Sequence, residues 1–232
     1  MNFLLFGLIA LLYSLVGHAG ASGYIALMAF LNFPGAEIKQ TSLFLNLVVS
    51  GVASIQFLLR GHYSMRLFLS FTITSAPAAY LTARMNISPA AYKSILGVFL
   101  CYSALWLIFL RTPKNNNPLR SYRSYYPPVI GLVIGAASGI IGVGGGIFLS
   151  PVLALLRWAD MKTISGTSAL FILVNSLFAF FAEIQKAGNI VKIPELSIVA
   201  AVLVGGLIGA RLGSHHLSDN ILRKILGMVL AL

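Results

Sequence analysis

Acidic side chains are almost missing from this sequence. Glu37, Asp160, Glu183, Glu195 and Asp219 are the five among 232 residues, and each lies at the end of an apolar segment. His18, His62, His215 and His216 are scattered, so no Ser-His-Asp arrangement or carboxylate pair emerges and the chain reads as a non-enzyme. No cofactor site is expected, and no metal site either: adjacent His215 and His216 face apart on a helix and suit a solvated loop end. The single cysteine, Cys101, excludes an intrachain disulfide and, inside an apolar run, suits packing. Charged residues make up only 9% of the chain, whereas soluble domains carry about 25%. With 58% hydrophobic residues and a mean hydropathy of +0.91, the chain is a polytopic membrane protein with no separate soluble domain.

Net charge is +11. The cations punctuate apolar segments instead of forming a basic face, so they orient the chain in a bilayer and do not suggest nucleic acid. Residues 1–21 end in Ala19-Gly20-Ala21, which resembles a signal-peptide cleavage site. They carry no Lys or Arg and the chain stays hydrophobic afterwards, so the segment is expected to be retained.

Uncharged stretches run 2–36, 40–59, 67–83, 94–110, 124–156, 163–182 and 196–210, with a short final segment from about Leu217 that looks incomplete as a crossing. Stretches of 17 to 20 residues suit single transmembrane helices. The first and fifth, at 35 and 33 residues, would make helices of about 50 Å against a hydrocarbon core of about 30 Å. Each has small residues near its middle: Gly17-His18-Ala19-Gly20-Ala21 in one, and Gly142, Val143, Gly144, Gly145 and Gly146 in the other. Glycine costs a helix about 1 kcal/mol relative to alanine, so both runs are expected to be two half-helices joined by a break. A nucleotide-binding glycine loop would need a preceding strand, and a P-loop a Gly-Lys-Ser/Thr ending; neither is present.

The two halves align. Gly17–Ala21 lies against Gly142–Gly146 at an offset of 125, Thr41-Ser42 against Thr167-Ser168 at 126, Gly61 against Gly188 at 127, and Lys93–Gly97 against Arg223–Gly227 at 130. The organisation is therefore a first repeat over 1–110, a polar basic linker over 111–127 with four cations, and a second repeat over 128–232. If every long stretch crosses the membrane, Lys and Arg divide eight to eight between the two sides. If each is a re-entrant hairpin, they divide eleven to five. Only the hairpin arrangement obeys the positive-inside rule, although a broken, fully crossing helix fits the lengths as well. The predicted fold is all-α: two inverted repeats, each a broken re-entrant hairpin plus three transmembrane helices, about eight membrane segments in all. The linker is expected in the cytoplasm and the N-terminus outside. Gly131, Gly135 and Gly139, and Ala201, Gly205, Gly209 and Gly213, recur at intervals of four and predict close helix packing.

Ser-Gly-Ile-Ile-Gly-Val-Gly-Gly-Gly-Ile-Phe-Leu-Ser-Pro at 138–151, Gly-Thr-Ser at 166–168 and Gly-Gly-Leu-Ile-Gly-Ala-Arg-Leu-Gly at 205–213 resemble the TauE/SafE sulfite exporter family. The likeness spans almost the whole chain through the duplication. It implies a multi-pass cell-membrane permease for sulfite, organosulfonates or related sulfur-containing anions. The first half departs from the motif, with Gly-His-Ala-Gly-Ala for Gly-x-Gly-Gly-Gly and no counterpart of Pro151.

The candidate substrate site follows from the breaks. Broken helices inside a membrane turn half-helix N-termini and consecutive N–H groups toward an anion. Gly142 to Gly146 form one face of it, and Gly17, His18, Ala19, Gly20 and Ser22 the other. Gly145, at the centre of its cluster, is expected to need φ > 0. Thr41-Ser42 and Thr167-Ser168 are read as opening the helices after each hairpin, where they serve as caps or meet the anion. Asn46 and Asn175, further along, line the path or tie helices together. His18 is the one ionisable side chain between Met1 and Gly35; it is either a proton-coupling group or a neutral ring bonded to the break. The expected partners are a small anion, protons as candidate coupling ion, and the lipid bilayer. Alternating-access secondary transport is the leading expectation, with a passive anion channel and a non-transporting scaffold as alternatives.

Overall fold

A computed structural model of the protein describes residues 2–85, 125–188 and 193–231, with isolated positions between 87 and 97. The expected span 94–110, Cys101, the linker as far as Ser124 and most of the Lys93–Gly97 match lie outside the described residues. Among the described residues every regular element is an α-helix: α1 Asn2–Ser14, α2 Ala21–Phe30, α3 Gly35–Leu59, α4 Met65–Ala83, α5 Tyr126–Ile141, α6 Gly146–Leu156, α7 Met161–Lys186, α8 Leu196–His215 and α9 Asp219–Ala231. Three of them, α3, α7 and α8, are long and apolar enough to cross a membrane.

Both long apolar runs break at their small-residue clusters. Gly17 and Gly20 take φ of +73° and +97° between α1 and α2, and Gly142, Gly144 and Gly145 take +89°, +72° and +81° between α5 and α6. A side chain in this left-handed region costs about 1–2 kcal/mol, which is why glycine supplies the corners. Gly20 is the N-cap of α2 and Gly145 that of α6, and neither helix start is capped by a side chain.

The helices after the breaks start earlier than the charge pattern suggests. α3 begins at Gly35, and α7 at Met161 behind Asp160, whose carboxylate accepts from Thr163 N–H at 2.9 Å. Thr41-Ser42 and Thr167-Ser168 therefore do not open helices. They sit in the second turn, where their backbone N–H groups are already within the helical ladder.

Three helix pairings organise the bundle. α3 and α7 run antiparallel: Lys39 meets Glu183, Asn46 meets Ser176, and Gly166 rests on Phe57 and His62. α8 lies parallel to α1, with Gly205, Gly209 and Gly213 on Gly7, Leu11 and Leu15. α5 lies parallel to α4, with Gly131, Gly135 and Gly139 on Phe71, Ser75 and Ala79. A methyl group on any of these six glycines would collide with a carbonyl oxygen of the facing helix. The expected glycine ridges are backbone-to-backbone seams, close enough for Cα–H groups to face carbonyl oxygens.

Polarity is arranged for lipid. Leu69, Ile73, Leu132, Val133, Phe181 and Val204 are exposed, while Ser14, Ser42, Ser50, Ser75, Ser150, Asn175 and Ser176 are fully buried. Water would favour the reverse arrangement. A bilayer favours apolar side chains outside and hydrogen-bonded hydroxyls and amides within.

Candidate functional site

The two breaks meet. His18, at the corner between α1 and α2, places Nε2 2.7 Å from Ser150 Oγ on α6, and Ser150 Oγ lies 2.8 Å from Ser168 Oγ on α7. Residues from both breaks and from α7 thus share one buried chain of hydrogen bonds. On the other side, Ser42 on α3 donates to the Gly142 carbonyl at 3.4 Å, and Asn46 Nδ2 stands 3.4 Å from Ser176 Oγ. A methyl at Gly144 would lie 2.5 Å from Ser176 Oγ and 3.1 Å from Asn46 Nδ2, so the Gly144 corner faces this polar cluster. Gly145 has the positive φ expected of it, but its Cα faces Phe171 and Ile134. Gly146 opens α6 against Ile172, with the His18 ring beside it.

The other sequence candidates fall nearby or brace the frame. Gly17 is pressed against the Ser165 backbone, and Ala19 and Val143 are buried in one hydrophobic cluster. Gly20 packs against the Tyr24 ring, and Ser22 exchanges a hydrogen bond with the Tyr13 hydroxyl at 2.8 Å, bracing the first break from behind. Thr167 accepts from Ser64 N–H at 3.0 Å and ties α7 to the start of α4. Asn175 donates to the Phe171 carbonyl at 2.9 Å and accepts from Ser75 on α4 at 2.5 Å, so it holds helices together. Thr41 is buried on α3. His215 and His216, expected to face apart, hold their rings 4.3 Å apart where α8 ends. No group of three or more metal-ligating side chains occurs among the described residues.

Two polar atoms at the centre are buried without a protein partner: His18 Nδ1 and Asn46 Oδ1. Nearly all buried polar groups in folded proteins are paired, so such atoms mark a place for water or ligand. Asn46 can be presented as a donor. Half a turn of the Asn46 amide points its NH2 inward while its oxygen accepts from Ser176. The Ser150 hydroxyl donates to Ser168, so His18 Nε2 donates to Ser150, and Nδ1 becomes a donor only when the ring takes up a second proton. With the N-terminus of α6, the Asn46 amide gives the corner donors that carry no net charge.

Comparison with known proteins places the chain in a family. The family model described as "Sulfite exporter TauE/SafE" matches residues 2–232. The chain belongs to the TauE/SafE family. A relative from Sinorhizobium fredii, named "Probable membrane transporter protein y4hK", is 37% identical over 97% of this chain and 92% of its own length. A second, from Xylella fastidiosa and named "Probable membrane transporter protein", is 22% identical over 73% of this chain and 67% of its own length. No solved structure matches. This TauE/SafE chain is thus a membrane transporter, and its relatives carry transporter names, not enzyme names.

Sequence reasoning missed Ser150, Ser176 and the Lys39–Glu183 pair. Ser150 lay inside the quoted motif, one turn after Gly146. Ser176 sits opposite Ser50 at the same offset of 126 that relates Thr41 to Thr167, so the duplication itself pointed to it.

Proposed function

We propose that this TauE/SafE protein is a secondary transporter of a small sulfur-containing oxyanion, sulfite or an organosulfonate, bound where the two glycine breaks meet. The observation that carries the reading is the pair of unpartnered buried atoms, His18 Nδ1 and Asn46 Oδ1, beside two uncapped helix starts. Backbone N–H groups, hydroxyls and an amide hold an anion without a full counter-charge, which keeps binding weak enough for release. Alternating access follows from two repeats moving against each other about this site.

An inverted duplication is supported by the pairings. α3 and α7 correspond at an offset of 126 and run antiparallel, and the α1–α8 and α4–α5 seams exchange equivalent helices between the halves. The hairpin topology draws support from the chain ends that gather together. Lys39, Glu183 and the Ala83 carbonyl share one end. The charges of Arg60, Lys162 and Arg211 surround His215 at the other. A fully crossing fifth segment would put Lys39 and Glu183 on opposite sides.

The functional test is counterflow in liposomes with a panel of labelled anions. Saturable flux of sulfite or a sulfonate that is trans-stimulated is expected. Unsaturated current that follows voltage would make the protein a channel, and no anion flux at all would leave a scaffold. Topology is checked with single cysteines at Gly35, Gly188 and Asp160 in a Cys101→Ser background. Gly35 and Gly188 are expected to react from outside with an impermeant thiol reagent and Asp160 from the cytoplasm. Labelling of Gly35 and Gly188 from opposite sides would sink the hairpin arrangement.

His18 is the proton-coupling candidate. His18→Gln retains a hydrogen-bonding group toward Ser150 but cannot titrate in the physiological range, where histidine ordinarily does so at about 6.5. The pH profile of flux is expected to flatten, and sulfite affinity to fall severalfold because the ring nitrogen that faces the ligand is lost. An unchanged profile would leave His18 as a structural link between the breaks.

A further inference from the structure

We infer that Lys39 and Glu183 form the gate at one end of the transport path and that Lys39 is the buried cation that receives an entering anion. This rests on the transport reading above. Lys39 Nζ lies 2.6 Å from Glu183 Oε1 and donates to the Ala83 carbonyl, at the C-terminus of α4, at 3.4 Å. The side chains are only 11% and 14% exposed. The lysine stem lies against the second break: a methyl at Gly142 would come 2.9 Å from Lys39 Cγ. Lys39, Ser42 and Asn46 recur at helical spacing on the face of α3 that turns toward Gly142, Gly144 and Ser176, so a track of polar groups leads from the pair to the site.

The pair is poorly explained as a fastener. Burying two charges costs as much as their attraction returns, and apolar replacements of equal volume are commonly as stable. What an ion pair adds is reversibility, because water compensates both charges when the end opens. The opposite end is closed by other means. At an offset of 126 the counterparts of Lys39 and Glu183 are Ser165 and Phe57, and there Gly166 packs directly on the His62 backbone. Around the ion pair, α4 and α7, which belong to different halves, meet through the apolar cluster of Ala83, Ala179, Phe180 and Ala182 and, toward the rim, through polar links. Tyr80 donates to Gln185 at 2.7 Å and Lys186 to the Met85 carbonyl at 2.8 Å, while Arg84 braces Tyr80 from the end of the same helix at 3.0 Å. An incoming oxyanion replaces Glu183 on the Lys39 ammonium, and the released end is free to separate.

The test has two arms, in a Cys101→Ser background. In the first, Ser176→Cys reports access to the site through an impermeant thiol reagent applied from each side of the membrane. Lys39→Gln/Glu183→Gln, which neutralises the pair together, is expected to raise labelling from the Lys39 end at least fivefold. The charge swap Lys39→Glu/Glu183→Lys is expected to restore the parent rate. Equal labelling in parent, neutral pair and swap would overturn the gate, whatever the substrate proves to be. In the second arm, sulfite is the probe. Lys39→Gln is expected to raise KM at least tenfold, whereas Glu183→Gln, which leaves the ammonium free for the anion, lowers it. Equal changes in both variants would overturn the role of Lys39 in binding. If the parent itself moves no sulfite, the substrate reading fails, and the labelling arm still decides the gate.

Discussion

Gly144→Ala is expected to cut sulfite flux more than tenfold in protein that still folds, while Gly145→Ala keeps its affinity. The two neighbours share the backbone problem, with φ of +72° and +81°, so an alanine at either costs about 1–2 kcal/mol of stability. They differ in what the added methyl meets. At Gly144 it falls 2.5 Å from Ser176 Oγ, 2.8 Å from Ile172 Cγ2 and 3.1 Å from Asn46 Nδ2, in the space a bound oxyanion needs. At Gly145 it presses on Phe171 Cε1 at 2.9 Å and Ile134 Cγ2 at 3.0 Å, both side-chain atoms of the apolar core. Similar losses of thermal stability with a raised KM only for Gly144→Ala would place the anion at the Gly144 corner. An unchanged KM in folded Gly144→Ala moves the site elsewhere.

Gly209→Ala is expected to destabilise the protein by about 1–3 kcal/mol, the cost of overpacking a close contact, and to lower its melting temperature in detergent by several degrees. The methyl would meet the Leu11 carbonyl oxygen and Ser14 Oγ, so α1 and α8 must move apart along the whole seam. Gly51→Ala provides the contrast. Its methyl would find Leu173 Cδ1 at 3.9 Å, an ordinary contact, and alanine suits the interior of α3 better by about 1 kcal/mol. Gly51→Ala is therefore expected to be neutral or stabilising. Equal melting temperatures for the two variants would show that the seam is looser than its geometry.

The breaks were legible in the sequence because glycine is the residue a left-handed corner requires, and Gly17, Gly20, Gly142, Gly144 and Gly145 take that conformation. The seams were legible because small residues every fourth position have few other uses in a membrane helix. Helix starts were less so. Charge served as the marker of segment ends, and it placed Thr41-Ser42 at a helix start when Lys39 already lies within α3, its charge met by Glu183. Nothing local to Lys39 distinguishes a lysine in a loop from one neutralised by a residue far along the chain. That the Gly144 corner faces the polar cluster and the Gly145 corner the apolar core was hidden for a similar reason. Which way a glycine corner faces depends on α3 and α7, and the sequence of the corner does not encode it.

The exchanged seams bear on how the protein is made. Leu11 on α1 closes against Gly209, and Ala79 on α4 against Gly139, so each half completes its contacts only on the other. A chain that emerges from the ribosome at about 5–20 residues per second has α1 in the bilayer for roughly ten seconds or more before α8 exists. Through that interval Ser14 and His18 lack the helices that later bury them. The two halves expressed as separate polypeptides are therefore expected to accumulate only when made together.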